Sequence, residues 1–195
     1  SDLQNKKDRL SPEYELLDTG IFRDNRYFDC YIEYAKDEIN DILVKVTVYN
    51  RGPESATIHV LPHCWFRNFW KHNPRFAKPE IISLSPGCLQ TNSARNGSFY
   101  FYHESGEQLF CDNETNNMRM YNRPNDSLFV KDGINNYVVD KEKTVNPKKQ
   151  GTRAAIWMNS SSLKPLQMIG VSLPPFVTAS TARSSGLLPA STPKP

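Results

Sequence analysis

The sequence is short of cysteine, of long apolar runs and of charge imbalance, and each shortage removes a class of protein. Its four cysteines, Cys30, Cys64, Cys88 and Cys111, stand far apart with no Cys-x-x-Cys pair, a density well below that of disulfide scaffolds. They read as reduced thiols packed in an interior, which points to a cytoplasmic setting. No stretch approaches the roughly 18 uncharged apolar residues of a membrane-spanning helix, and the opening Ser1-Asp2-Leu3-Gln4-Asn5-Lys6-Lys7-Asp8 lacks the apolar centre of a signal peptide. No membrane partner is expected. A net charge of +3 is too small for a strongly basic nucleic-acid binder, and 23% charged residues do not suit a charge-dominated disordered chain. No Gly-x-Ser-x-Gly elbow, P-loop or Gly-x-Gly-x-x-Gly occurs, so the usual cues for a serine hydrolase or a nucleotide enzyme are missing. Helical periodicity is scarce as well: no segment sustains three or four turns of amphipathic helix.

Period-two alternation is present instead. From Tyr27 to Ala35 the residues Phe28, Cys30, Ile32 and Tyr34 share one face, and Ile42, Val44, Val46 and Val48 form a second apolar face after the polar turn 36–41. The turn 50–55 leads to Thr57–Leu61, so these three strands predict a meander. Ser98–His103 and Gln108–Asp112, joined by Glu104-Ser105-Gly106-Glu107, predict a hairpin, and Thr152–Met158 a further strand. Ser127–Val139 fits either a short helix or two short strands, since Gly133 and Asn135-Asn136 break both periods. With turn signals every 8–15 residues the expected class is all-β, an antiparallel β-sandwich. Apolar residues make up 38% of 195, below the roughly 45–50% of an average globular domain, so part of the chain is expected to stay unpacked. Composition places that part at 159–195, with Pro165, Pro174, Pro175, Pro189, Pro193 and Pro195, many Ser and Thr and no acidic residue. Such a tail cannot bury enough apolar surface to offset its ordering entropy. The expected division is therefore a sandwich over 1–158 and a disordered tail over 159–195.

Chemistry-bearing residues are densest in Leu61-Pro62-His63-Cys64-Trp65-Phe66-Arg67-Asn68-Phe69-Trp70-Lys71-His72. Indole faces stack on sugar rings, and Arg and Asn hydrogen-bond hydroxyls, so Trp65, Arg67, Asn68 and Trp70 are the candidate substrate-binding residues. On an extended chain Trp65, Arg67 and Phe69 face one way and Phe66, Asn68 and Trp70 the other, so one set is expected in the core. His59, His63 and Cys64 lack the paired short spacings of a closed zinc site, and neither a metal nor another cofactor is expected. Arg67, Lys71, His72, Arg75 and Lys78 interleave with Trp70 and Phe76 in the manner of a single-strand binder, but the low net charge favours a solvated basic loop. Asp112 and Glu114 are two residues apart, as a glycosidase acid and base on one strand face would be; many strand ends offer that spacing, and no catalytic residue is assigned. Four Asn-x-Ser/Thr matches, at Asn96, Asn113, Asn125 and Asn159, carry no weight without a signal peptide.

Several motifs together resemble a known family. Glu13-Tyr14-Glu15-Leu16-Leu17-Asp18-Thr19-Gly20-Ile21-Phe22, Asn25-Arg26-Tyr27-Phe28-Asp29, Glu33-Tyr34-Ala35-Lys36, Asn50-Arg51-Gly52-Pro53-Glu54, Leu61-Pro62 with Trp65-Phe66-Arg67-Asn68, Asn113-Glu114-Thr115-Asn116, Val130-Lys131-Asp132-Gly133, and Val145-Asn146-Pro147 with Gly151-Thr152 resemble, in order over residues 2–157, the amino-terminal region of glucosidase-like proteins related to glycoside hydrolase family 63. That resemblance implies an antiparallel sandwich whose catalytic acid and base lie in a later (α/α) toroid, absent here. It implies further family sequence upstream of Ser1. The resemblance ends near Trp157, as a shifted reading frame or a broken gene would make it end. The implied function is a non-catalytic fragment that packs against the toroid and lends residues to a cleft for an oligosaccharide or glycoside. The alternative is a free-standing carbohydrate-binding or protein-interaction sandwich.

Overall fold

The computed structural model describes residues 12–73, 75–163 and 168–173. Two 3₁₀ turns, Leu16–Thr19 and Arg23–Asn25, lead into β1 (Phe28–Lys36), which pairs antiparallel with β2 (Ile42–Asn50) from Phe28↔Asn50 to Lys36↔Ile42. This is the hairpin that the alternation predicts.

The chain then leaves the layer. β3 (Ala56–Val60) does not continue a meander: it pairs with β10 (Arg153–Leu163), and the free side of β2 takes β11 (Met168–Leu173). The link explains the crossing. Buried Asn50 accepts from the Gly52 amide (2.9 Å) and donates to the Glu54 carbonyl (2.8 Å), an Asx-type loop that redirects the backbone before β3 starts. β4 (His63–Trp65) resumes along the same side of β10 in the same register, so β3 and β4 are one strand interrupted at Leu61-Pro62. There Pro62, which has no amide hydrogen, still accepts from Ile156 N at 3.0 Å.

β5 (Glu80–Ser85), β6 (Cys88–Ser93) and β7 (Gly97–Tyr102) form a true meander, with β9 (Gln150–Gly151) beyond β5. The hairpin expected between 98–103 and 108–112 does not form. β7 pairs with β6, whereas β8 (Glu107–Cys111) pairs with β10 in the other layer, so residues 103–106 are an arch between layers. Gly106 makes it at φ +108°, where a Cβ would also meet Ile156 Cγ2 at 2.6 Å. His103 fixes it, with Nδ1 against the Ser105 carbonyl (3.0 Å) and Nε2 against the Gln108 amide (2.9 Å). Two short helices are added, α1 (Asn117–Tyr121) and α2 (Gly133–Asp140); the second makes the latter half of the ambiguous 127–139 stretch a helix, while 127–132 is bend and turn, neither helix nor strand.

The fold is all-β and sandwich-like, with antiparallel sheets and little helix. Val46 and Val48 of the β1–β2–β11 sheet, Ile81, Leu89 and Phe101 of the β5–β7 meander, and Phe110, Ala154, Ile156 and Met158 of the β8–β10 sheet share one core. The opposite faces of β8 and β10 are covered by α2, through Leu109, Cys111 and Ala155 against Ile134 and Val138. Each such buried aliphatic or aromatic side chain contributes about 1.5–3 kcal/mol. Cys88 and Cys111 are buried and Cys64 half-buried, all as free thiols, but Cys30 is exposed because nothing described covers the far half of β1. β10 runs past residue 158, where composition opened the tail, and β11 lies within that tail; 164–167 and 174–195 lie outside the described residues. Among the described residues no helix is long and apolar enough to cross a membrane.

Candidate functional site

After β4 the chain leaves strand geometry, the Phe69 amide closing a tight turn on the Arg67 carbonyl (2.9 Å), yet exposure still alternates from residue to residue. Phe66, Asn68 and Trp70 turn inward, while Trp65, Arg67 and Phe69 are exposed, Trp65 to 56%. The inward set holds the segment in place. Phe66 packs on the core, its amide donating to Thr152 O (3.0 Å) and its carbonyl accepting from Asn113 Nδ2 (2.9 Å). Asn68 Nδ2 donates to Asn113 O (3.1 Å), and Trp70 Nε1 donates to Glu114 Oε1 (3.0 Å).

The outward set, with the edges of Phe66 and Trp70, opens into a groove of about 690 Å³. One wall is Trp65, Arg67, Phe69 and Trp70, another Arg75–Pro79, and the third is the β6–β7 turn at 93–96. Three of the four candidates, Trp65, Arg67 and Trp70, line it. Asn68 stays outside: both ends of its amide are taken, Nδ2 by Asn113 and Oδ1 by the Lys71 amide at 3.3 Å. Phe69 is the centre of the groove. The Arg67 guanidinium carbon lies 4.9 Å and that of Arg95 5.7 Å from its ring centroid, with the Phe76 ring 5.9 Å away. Phe69 was legible as the face-mate of Trp65 and Arg67. Arg95 was not, because only the pairing of β6 with β7 brings residue 95 beside residue 69.

Electrostatics divide the basic stretch in two. Lys71 pairs with Asp126 and lies 3.7 Å from Glu114 Oε2, and Lys78 pairs with Asp112 at 3.0 Å. Arg67, Arg75 and Arg95 have no carboxylate partner among the described residues, and no Asp or Glu lines the groove.

The two carboxylates do not face a common cleft. Asp112 lines a separate recess with Lys78 and Thr152, where burial alone would raise its pKa; the Ser127 hydroxyl (2.7 Å), the Lys78 ammonium and the Thr152 amide overcome this and hold it below the usual range. Glu114 is 5% exposed behind Trp70. The histidines also serve locally. His59 Nδ1 accepts from Trp157 Nε1 (3.0 Å) and His63 Nδ1 from Arg153 Nε (3.4 Å). Burial, then the Arg153 charge, lowers His63 to about 4, and burial raises Cys64 to about 11. Among the described residues no group of three or more His, Cys, Asp or Glu is placed to hold a metal ion.

A second groove, of about 470 Å³ and mainly apolar apart from His59 and His63, lies between β1–β2 and the β3–β4 strand. Cys30, Ile32 and Tyr34 of β1 form its outer wall, with Val46 of β2 and Ile58 and Val60 of β3 within. Ile32 is 55% and Tyr34 72% exposed.

The chain is similar to the uncharacterized protein YMR196W of Saccharomyces cerevisiae, at 26% identity over 196 residues, a match that takes in 82% of this chain and 18% of the yeast protein. This chain thus spans only a small part of the length of the curated relative it matches. No family model and no solved structure matches it.

Proposed function

We propose that the chain is the non-catalytic amino-terminal sandwich of a glucosidase-like glycoside hydrolase related to family 63, working in the cytoplasm and packing against a separate (α/α) toroid that carries the acid and base. The observation that carries the reading is the uncovered apolar wall of β1. Cys30, Ile32 and Tyr34 lie on one strand face above an apolar groove, the kind of surface that in a soluble protein meets a partner. The resemblance of the motifs along residues 2–157 names the partner, and a relative several times longer than this segment accords with it. The free thiols agree with a reducing compartment.

A second reading, a free-standing carbohydrate-binding sandwich, is favoured by the exposed Trp65 indole beside Arg67. Two measurements test the first reading. Purified chain incubated with maltose or an aryl α-glucoside is expected to release no glucose; release that scales with protein concentration overturns the non-catalytic assignment. In the longer hydrolase carrying this segment, Trp65→Ala is expected to raise KM or lower kcat several-fold, and unchanged kinetics would detach the groove from the substrate cleft.

A further inference from the structure

We propose that the groove between Trp65 and the β6–β7 turn binds a phosphorylated sugar. The inference rests on the reading that this groove meets carbohydrate, and adds the charge of the ligand.

Six described cations outside the groove pair with carboxylates: Arg26 with Glu54, Lys45 with Glu33, Arg51 with Asp29, Lys71 with Asp126, Lys78 with Asp112 and Arg119 with Asp132. The groove gathers three cations of another kind on one lining. Arg67, Arg75 and Arg95 line it together with no acidic residue among the described lining, and Arg67 and Arg95 stand over one ring, Phe69. Like charges gathered around an apolar ring repel, and a bound anion relieves them. A phosphate monoester carries about −1.5 to −2 charges at pH 7 and presents oxygens that guanidinium forks grip in pairs. A carboxylate, with a single charge, would leave most of the cluster unmatched.

The rest of the lining suits a sugar ring. Trp65 offers an open indole face for stacking, and Asn96, on the turn that carries Arg95, brings an amide for hydroxyls. A nucleic-acid strand fits less well. Single-strand sites follow a basic track over about 4–16 nucleotides, whereas beyond the groove Lys71 and Lys78 are already neutralised by Asp126 and Asp112.

The test is calorimetric titration of the full chain with glucose 6-phosphate, glucose, maltose, inorganic phosphate and a short oligothymidine. Glucose 6-phosphate is expected to bind at least about tenfold more tightly than each of the others, a difference of about 1.4 kcal/mol. Arg95→Gln and Arg67→Gln are each expected to weaken it about tenfold or more with the urea midpoint unchanged. Maltose or glucose binding as tightly as the phosphate ester overturns the inference and leaves the carbohydrate reading standing. Inorganic phosphate or oligothymidine binding as tightly overturns it in favour of a plain anion or nucleic-acid site. Absence of any binding overturns it together with the carbohydrate role of the groove.

Discussion

Asp112 and His63 carry opposite charges when ionised, yet both make the fold lose stability in acid, over different pH ranges. The Asp112 carboxyl is held below its ordinary value, against the effect of burial, by Ser127, Lys78 and Thr152. Its ionised form therefore favours the fold: the contribution is complete above the unfolded value of about 3.9 and is lost as pH falls through the lower folded value. His63 is lowered from 6.5 to about 4 by partial burial of its ring and by Arg153, so the fold favours the neutral ring. The unfolded chain takes up that proton first. This contribution is complete above about pH 6.5 and is lost between there and about pH 4. Urea midpoints measured from pH 7 to pH 3 are expected to fall in these two stages. His63→Gln is expected to flatten the first; Asp112→Asn is expected to flatten the second and to lower the midpoint at pH 7, since it cannot replace the charge facing Lys78. A slope between pH 6.5 and 4 that His63→Gln leaves unchanged would refute the assignment. None of this was legible in the sequence, because Arg153 reaches His63 only through the β4–β10 register. The inward and outward sets of residues 65–70 were legible, since alternation is a local property.

Elements were easier to read than their partners. β1, β2, β3, β7, β8 and β10 all lie where apolar and polar residues alternate. β5 and β6 were missed, for Glu80–Ser85 and Cys88–Ser93 are short and neither keeps a clean alternation of apolar and polar residues. Pairing was misjudged where neighbours in sequence were assumed to be neighbours in a sheet, which holds only about two-thirds of the time. The exceptions have local causes, the Asn50 loop before β3 and the Gly106 arch before β8, that look like ordinary turns by composition. The seat of α2 shows the same limit. Gly133 reads as a helix breaker, yet it opens the helix because any Cβ there would come within 2.4 Å of the Thr144 carbonyl oxygen. The Thr144 hydroxyl donates to the Gly133 carbonyl at 2.7 Å, closing the contact. Gly133→Ala, favourable by helix propensity, is therefore expected to cost about 1–3 kcal/mol in urea unfolding, as overpacking does, and to speed hydrogen exchange in α2. A stabilised variant would show that the loop at Thr144 yields freely.

For the whole molecule the telling feature is an interior left open on one side. Alternation placed Phe28, Cys30, Ile32 and Tyr34 on one face of β1, and the register sets them beside Val44, Val46 and Val48. Burial follows only part of the way: Val46 and Val48 are in the core, while Ile32 and Tyr34 at the far end are open. β1 is the edge strand of its sheet, and Ile32 and Tyr34 stay open among the described residues. A local pattern shows that a face is apolar; it cannot show whether the same chain supplies its cover. If a partner covers this wall, the isolated chain should reveal it. We expect the purified chain to bind a hydrophobic dye such as anilinonaphthalene sulfonate in its native state and to self-associate as concentration rises. The double substitution Ile32→Thr with Tyr34→Thr keeps β propensity and touches side chains that are mostly exposed, so stability should change by less than about 1 kcal/mol, while dye binding and self-association fall several-fold. Substituting Met118 and Met120 of α1, also exposed but away from the groove, should leave both readings in place. Equal losses from the two pairs would mean that the chain is sticky by general surface apolarity, and β1 would then have no special claim to a partner.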